Sequence, residues 1–459
     1  MMDRLAYRGG FVWKVSLDLR ERYGELKGRD SMIWVEPPGT PTVGLMLIKA
    51  YEVTGEDRYL TYADRVATAL VEGQLPCGGW HYFIDFDPDG TQAYYDTFFS
   101  RQWGWQEYLH YYNNATFDDD VTASATRFLL RLNRTPLASK YDAPLIRALD
   151  FVLRAQDAHG GWPQRFPPNG EFTQHGHPDY TSFSTFNDGV TANNIDLLLE
   201  ASRQLGGTQY KKAARRGMDF YLVSQLPPPQ AGWAQQYDRY LKPGWGRPFE
   251  PPAVCSPQTM ENVLDLIRFA RCTGDRKYLK PIPPALDWLE EAERVTPFAK
   301  PYTHTCFYAL KTNRPLFVRR TGRTYVDTRF ELSDDAEGAY PYAVRLRIDV
   351  GALRDRYESA AAMSAAEARA EYEKQITRRL PVVKVVSVGA DTRVVARGPE
   401  EIRSLIDGLG SGDGWIVENQ VLDIEDFLRK PPRVFPGYGT GTYVARMYRL
   451  IHYLEGLQQ

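Results

Sequence analysis

The strongest constraint on this chain is an internal repeat. Ala50-Tyr51-Glu52-Val53-Thr54-Gly55 leads to Tyr59-Leu60, and Arg271-Cys272-Thr273-Gly274 leads to Tyr278-Leu279. Looser copies run from Leu132-Asn133-Arg134 to Tyr141 and from Gln204-Leu205-Gly206-Gly207 to Tyr210. In each, a Gly or Asn stops one helix and a Tyr opens the packing face of the next. The second helices end alike: Gln74 precedes Gly79-Trp80, Gln156 precedes Gly161-Trp162, and Gln225 precedes Gly232-Trp233. Leu145, Leu149, Val152 and Leu153 fit one face of a second helix, and Ala192, Ile195, Leu198 and Leu199 one face of another. Four or more such hairpins, roughly 70–80 residues apart with their loops, predict a mainly α fold: an α/α toroid, or incomplete α/α barrel, of repeated helix hairpins.

The repeat fades after about Thr324. A charged helix over Ala360–Arg379, an apolar strand over Val382–Val388 and a Gly-rich stretch ending near Gly412 predict a small irregular or β C-terminal insertion. The expected division is a catalytic core over 1–323, an insertion of mixed structure over 324–410, and a closing segment over 411–459 with a final amphipathic helix, Gly441–Leu457. Together these form one catalytic unit.

Charge narrows the function. The 56 Lys and Arg nearly cancel the 58 Asp and Glu, which argues against a nucleic-acid partner. No apolar run approaches a membrane span. Four scattered cysteines give neither zinc spacing nor a disulfide framework. Aromatic residues reach 13%, which serves either a large core or a cleft whose rings stack on sugars.

Two acidic turns stand at the heads of apolar helices. Thr116-Phe117-Asp118-Asp119-Asp120-Val121-Thr122 follows Gly78-Gly79-Trp80, and Thr185-Phe186-Asn187-Asp188-Gly189-Val190 follows Gly160-Gly161-Trp162-Pro163-Gln164. Helix capping explains one Asp or Asn per turn. Three consecutive aspartates repel, and a hard cation such as Ca²⁺ would relieve that repulsion. Both readings are open at this point. Asp85-Phe86-Asp87-Pro88-Asp89-Gly90 matches the first half of an EF-hand loop. Asp96 in place of Glu, and the lack of an entering helix, make it an aspartate-rich turn.

Basic residues gather further along. Lys242-Pro243-Gly244-Trp245-Gly246-Arg247-Pro248-Phe249-Glu250 reads either as a surface loop with Arg247 paired to Glu250 or as a fixed guanidinium facing an acidic substrate. Thr312-Asn313-Arg314-Pro315-Leu316-Phe317-Val318-Arg319-Arg320 adds three more arginines. Carboxylate turns with rigid arginines imply an anionic ligand that also needs a cation, as uronic-acid polymers do.

At these residues the chain resembles the pectate lyases of polysaccharide lyase family 10. Five motifs in order carry the resemblance over about residues 70–325: Thr116–Asp119, Gly160–Gln164, Thr185–Asp188, Gly232–Asp238 with Lys242–Pro252, and Thr312–Phe317. The resemblance implies an incomplete α/α toroid that cleaves polygalacturonate by Ca²⁺-assisted anti β-elimination. It places Asp118, Asp119 and Asp188 at the metal and Arg247 as the base on the C5 proton, with Lys242 behind it. Trp162, Asn187, Trp245, Arg314 and Arg320 would hold substrate. Asp119 stands where the family has Asn, and Gln235 where it has Arg. The N-terminal segment and the insertion after Gly322 lie outside the family core. His175 and His177 are other candidate bases. A hydrolase or other uronate-active enzyme on an α/α toroid, using Asp118 with Asp188, and a non-catalytic glycan-binding repeat protein are the competing readings. The expected partner is an anionic polysaccharide or oligosaccharide, with no nucleic acid or membrane, bound by a monomer. The resemblance implies secretion or a periplasmic location, although no signal peptide opens this chain.

Overall fold

The repeated glutamines are the seam of the fold. Gln74 donates its amide to the Gly78 carbonyl of its own loop (2.8 Å) and to Pro144 in the next hairpin (3.0 Å). Gln156 does the same to Gly160 and Ala213 (2.9 Å each), and Gln225 to Ala231 and Pro281 (2.8 Å each). One side chain thus closes a loop and joins it to its neighbour, which satisfies carbonyls a helix end leaves bare. The glycines follow from the same geometry. Gly78 and Gly160 have φ of 106° and 103°, and a Cβ on either would lie 2.4 or 2.2 Å from the carbonyl oxygen of Arg147 or Arg216. Gly160→Ala is expected to cost roughly 3 kcal/mol or more, from backbone strain plus overlap. A shift in the urea midpoint would measure it, and an unshifted midpoint would contradict this account of the loop.

The computed structural model describes residues 2–94, 114–170, 173–174, 176–321, 329–339, 344–377, 381–385, 387, 391–409, 414–421 and 434–458. The mainly α class expected from the repeats is the observed one. Contacts divide the chain into two compact units, the first of residues 1–91, 113–152 and 380–459, the second of 92–112 and 153–379. The segment after residue 324 therefore contributes to both. Among the described residues no helix is long and apolar enough to cross a membrane.

In the first unit the hairpin Thr40–Thr54 with Asp57–Glu72 turns at Gly55, whose φ of 68° gives the left-handed helix cap. The helix Val121–Leu132 packs against this hairpin, followed by Ala138–Ala155, and the last helix, Thr440–Leu457, packs on Thr40–Thr54. Ile416–Val421, Val434–Gly439, Lys14–Ser16 and Arg22–Tyr23 form a four-stranded sheet in that order.

The second unit holds the hairpin Val190–Leu205 with Thr208–Val223 and the helices Ser256–Thr273 and Ile282–Val295. Its four-stranded sheet runs Arg329–Ser333, Pro315–Thr321, Phe307–Ala309, Ala253–Cys255. Tyr141, Tyr210 and Tyr278 are buried, as the repeat predicts. Tyr141 and Tyr278 donate to Asp64 and Asp219, so the aromatic ring and its hydroxyl both tie consecutive second helices.

Two expectations for the C-terminal region are corrected. The charged helix over Ala360–Arg379 is two helices, Val350–Ala362 and Ala365–Thr377. Met363 takes extended backbone, and Ser364 and Glu367 form a capping box that starts the second helix. The strand over Val382–Val388 is irregular backbone through residue 385. Val382 is 91% exposed, and among the described residues of the segment only Ser387 makes a bridge, to Gln420. Its β propensity finds no strand to pair with over 381–385, where Lys384 is drawn into a different contact. Val386, Val388 and Arg379 lie outside the described residues, as do His175 and Asp96.

Candidate active site

The two acidic turns are copies of one backbone. Thr116 and Thr185 each donate their amide to the carbonyl of the preceding loop tryptophan, Trp80 (2.9 Å) and Trp162 (2.8 Å). Thr122 and Thr191 return hydroxyl bonds to the carbonyls of Thr116 and Thr185 (2.7 and 2.8 Å). Phe117 stacks on Phe151 and Phe186 on Phe220, ring centroids 5.1 and 4.9 Å apart. The chain then passes through two left-handed residues before the helix: Asp119 and Asp120 (φ 47° and 62°) in one unit, Asp188 and Gly189 (φ 53° and 68°) in the other. Left-handed backbone at a residue with a Cβ costs about 1–2 kcal/mol. Neither turn recovers that cost by capping, because no side-chain cap bond forms at Asp120 or Gly189. Backbone of this kind, held by the surrounding structure, recurs at functional turns.

This copying reassigns the aspartates. Asp119, and not Asp118, is the equivalent of Asp188. Asp118 is 1% exposed, and its Oδ2 accepts the Tyr82 hydroxyl at 2.5 Å. It is buried in the turn and bonded to Tyr82, so it does not stand where Asp188 stands in the other copy. Asp120 pairs with Arg127 at 3.3 Å. Asp119 and Asp188 are partly exposed.

In the second unit Ser184 and Thr185 pair with Tyr237 and Gln236, which sets the Asp188 turn against the loop before residue 236. The Gln235 amide donates to Asn187 Oδ1 (3.1 Å), and the Asn187 amide donates to Asp188 Oδ2 (2.8 Å). The neutral Gln235 thus orients Asn187, and Asn187 orients Asp188. Gly244 donates to the Gln236 carbonyl (3.1 Å) and carries the chain on to Trp245, whose ring stacks on His177 at 4.1 Å. Arg247 is only 7% exposed and Glu250 is wholly buried. Glu250 accepts the Arg247 backbone amide at 2.8 Å and its guanidinium at 3.4 Å. The pairing read from the sequence is present, but it sits in the interior and not on a surface loop.

Other expected contacts fall elsewhere. Trp162 is 0% exposed with its ring against Gly217, so it is core and offers no face to a sugar. Arg314 is exposed and bonded to Asp334 at 2.5 Å, and Arg320 is exposed on the strand Pro315–Thr321. Lys242 is exposed on the Arg247 loop. In the EF-hand-like turn Arg29 bonds Asp85 (2.5 Å) and pairs with Asp87, so the protein's own cation answers those carboxylates. Reading the sequence missed Glu36 as the counterpart of Glu250. The signal was there, since Glu-Pro-Pro occurs at 36–38 and again at 250–252.

Residues 90–302 match the model of the pectic acid lyase family. That match spans both turns and the Arg247 loop, and it supports a lyase enzyme. Among solved structures, a family 10 polysaccharide lyase from Cellvibrio cellulosa is 16% identical, with 68% of this chain and 92% of that one covered and a TM-score of 0.40. A mutant of that lyase in complex with trigalacturonic acid is 17% identical, over 73% and 97%, with a TM-score of 0.40. A cellobiose 2-epimerase from Spirochaeta thermophila is 11% identical, over 98% and 92%, with a TM-score of 0.47. No curated protein matches this chain.

Among the described residues no group of three or more His, Cys, Asp or Glu side chains is placed to hold a metal ion. Calcium takes about six to eight oxygen ligands. In the second unit the partly exposed Asp188 carboxylate, held by Asn187, would be one ligand to such an ion, with the others left to substrate carboxylates and water.

Proposed function

We propose that this protein cleaves a uronic-acid polymer, polygalacturonate or pectate, by calcium-assisted anti β-elimination. The observation that carries this reading is Arg247, interior and held by Glu250, on the loop that adjoins the Asn187–Asp188 turn, within the residues that match the pectic acid lyase family. The C5 hydrogen of a uronate lies beside a carboxylate, so its removal adds negative charge to a group already anionic. Calcium, when bound, supplies the positive charge that stabilises the resulting enolate. Asp188 holds its carboxylate in a fixed direction through Asn187 and Gln235. Trp245, backed by the His177 ring, offers a flat surface to a sugar. Arg247 takes the C5 proton.

Arginine side chains normally stay protonated, with a pKa above about 12. Glu250 favours the charged form, yet its shorter bond goes to the backbone amide and its hold on the guanidinium is long, at 3.4 Å. The main work of Glu250 is therefore to aim the side chain. The defining assay is polygalacturonate with calcium. An absorbance rise from an unsaturated product is expected, and chelation of calcium should suppress it at least about a hundredfold. New reducing ends with no unsaturated product would replace this reading with a hydrolase.

A further inference from the structure

The first unit carries a constellation that the proposed chemistry does not use. Glu36 opens the corner Glu36-Pro37-Pro38 just before the helix Thr40–Thr54 and is 0% exposed. Its backbone is fixed on both sides: the amide donates to the Tyr82 carbonyl (3.1 Å) and the carbonyl accepts Trp13 Nε1 (2.8 Å). One carboxylate oxygen meets Lys384 Nζ at 3.2 Å, and the other, Oε2, accepts no hydrogen bond among the described residues. The Lys384 ammonium lies over the Trp13 ring, 4.5 Å from its centroid, while 47% of its side chain stays exposed. Burial alone would lower this ammonium. Glu36, with Asp119 and Glu25 beyond it, outweighs that effect and holds the group above the usual lysine range.

Two observations show that the arrangement is built. The backbone of Lys384 is pressed against the start of the last helix, where a Cβ on Gly441 would lie 2.1 Å from the Lys384 carbonyl oxygen. The second unit repeats the device. There Glu250-Pro251-Pro252 precedes the helix Ser256–Thr273, and its buried glutamate holds Arg247. Each unit therefore combines a left-handed aspartyl turn with a buried Glu-Pro-Pro carboxylate that aims a cation. A buried ion pair kept for stability alone returns little, because desolvation offsets attraction. A cation held by a buried partner yet half open to solvent is a recognition group.

We propose that the Lys384 ammonium, aimed by Glu36 and Trp13, is a contact within the first unit for the carboxylate of an acid sugar. The assignment rests on the reading of this chain as a uronate-polymer lyase. It gives specificity to a segment outside residues 90–302, and it makes Glu36 a positioning residue.

The test uses the full chain with Lys384→Met, assayed on polygalacturonate and on highly methyl-esterified pectin, with calorimetric binding of trigalacturonic acid. For polygalacturonate KM should rise about tenfold, the loss of one charge-assisted contact. Trigalacturonic acid binding should weaken by a similar factor, and KM for the esterified polymer should move less than about twofold. Lys384→Arg should recover most of the loss, and Glu36→Gln should shift KM the same way by less. An unchanged KM for polygalacturonate, with or without a lower melting point, overturns the assignment, as does an equal change for both polymers. If the parent protein neither cleaves polygalacturonate nor binds trigalacturonic acid, the lyase reading fails and takes this one with it. If the parent cleaves and Lys384→Met keeps the parent KM, only the Lys384 assignment falls.

Discussion

Arg247→Ala should lower kcat/KM on polygalacturonate by at least about a thousandfold, close to 4 kcal/mol of transition-state stabilisation. The size follows from two losses at once. General base catalysis is worth about a hundred- to ten-thousandfold, and a fixed cation beside a developing enolate adds an electrostatic share. The same change should cost stability. It leaves Glu250, wholly buried, with its backbone bond but no cation, and an uncompensated buried carboxylate is expensive, at roughly 3 kcal/mol. Arg247→Lys separates the two effects. It keeps a positive charge near Glu250 but not the planar fork, so it should fold well and still lose on the order of a hundredfold in kcat/KM. Wild-type rates in Arg247→Lys would remove Arg247 from the chemistry.

The second large effect is expected at Asp188. Asp188→Ala should reduce elimination by roughly a hundredfold or more and flatten its response to added calcium, because the turn loses the carboxylate that Asn187 and Gln235 hold in place. Asp118 makes the contrast. Asp118→Ala leaves the buried Tyr82 hydroxyl without its acceptor and should cost about 1–3 kcal/mol of stability, while the calcium response of the folded fraction stays that of the parent. If Asp118 and not Asp188 controlled the calcium response, the equivalence of Asp119 with Asp188 would be wrong.

That contrast shows where the sequence was legible. The hairpins were visible because their signals are local: a Gly at a helix end, a Tyr on the next packing face, a Gln one loop away from a Gly-Trp pair. Each acts over a few residues, so spacing alone reveals it. The Asp188 turn was visible for the same reason. Which aspartate of the Asp118-Asp119-Asp120 run faces outward was not, since it depends on a left-handed backbone that three identical side chains conceal. Trp162 misled because a loop tryptophan serves a core as well as it serves a sugar, and only the closeness of Gly217 decides between them. The Val382–Val388 run misled because β propensity describes a surface ready to pair, and pairing needs a partner. The contact of Glu36 with Lys384 joins residues 348 positions apart. No periodicity reaches that far, and only the second Glu-Pro-Pro pointed toward it.

The glutamine seam has a consequence for how such a chain grows. A duplication that copied one hairpin whole would bring its own amide and its own glycine, and the new piece would lock to both neighbours at once. A break at any other point would leave an amide facing no carbonyl, or a carbonyl facing no amide. Chemistry at the joint thus favours change by complete modules, and it lets the loops that carry the turns diverge while the joint stays the same.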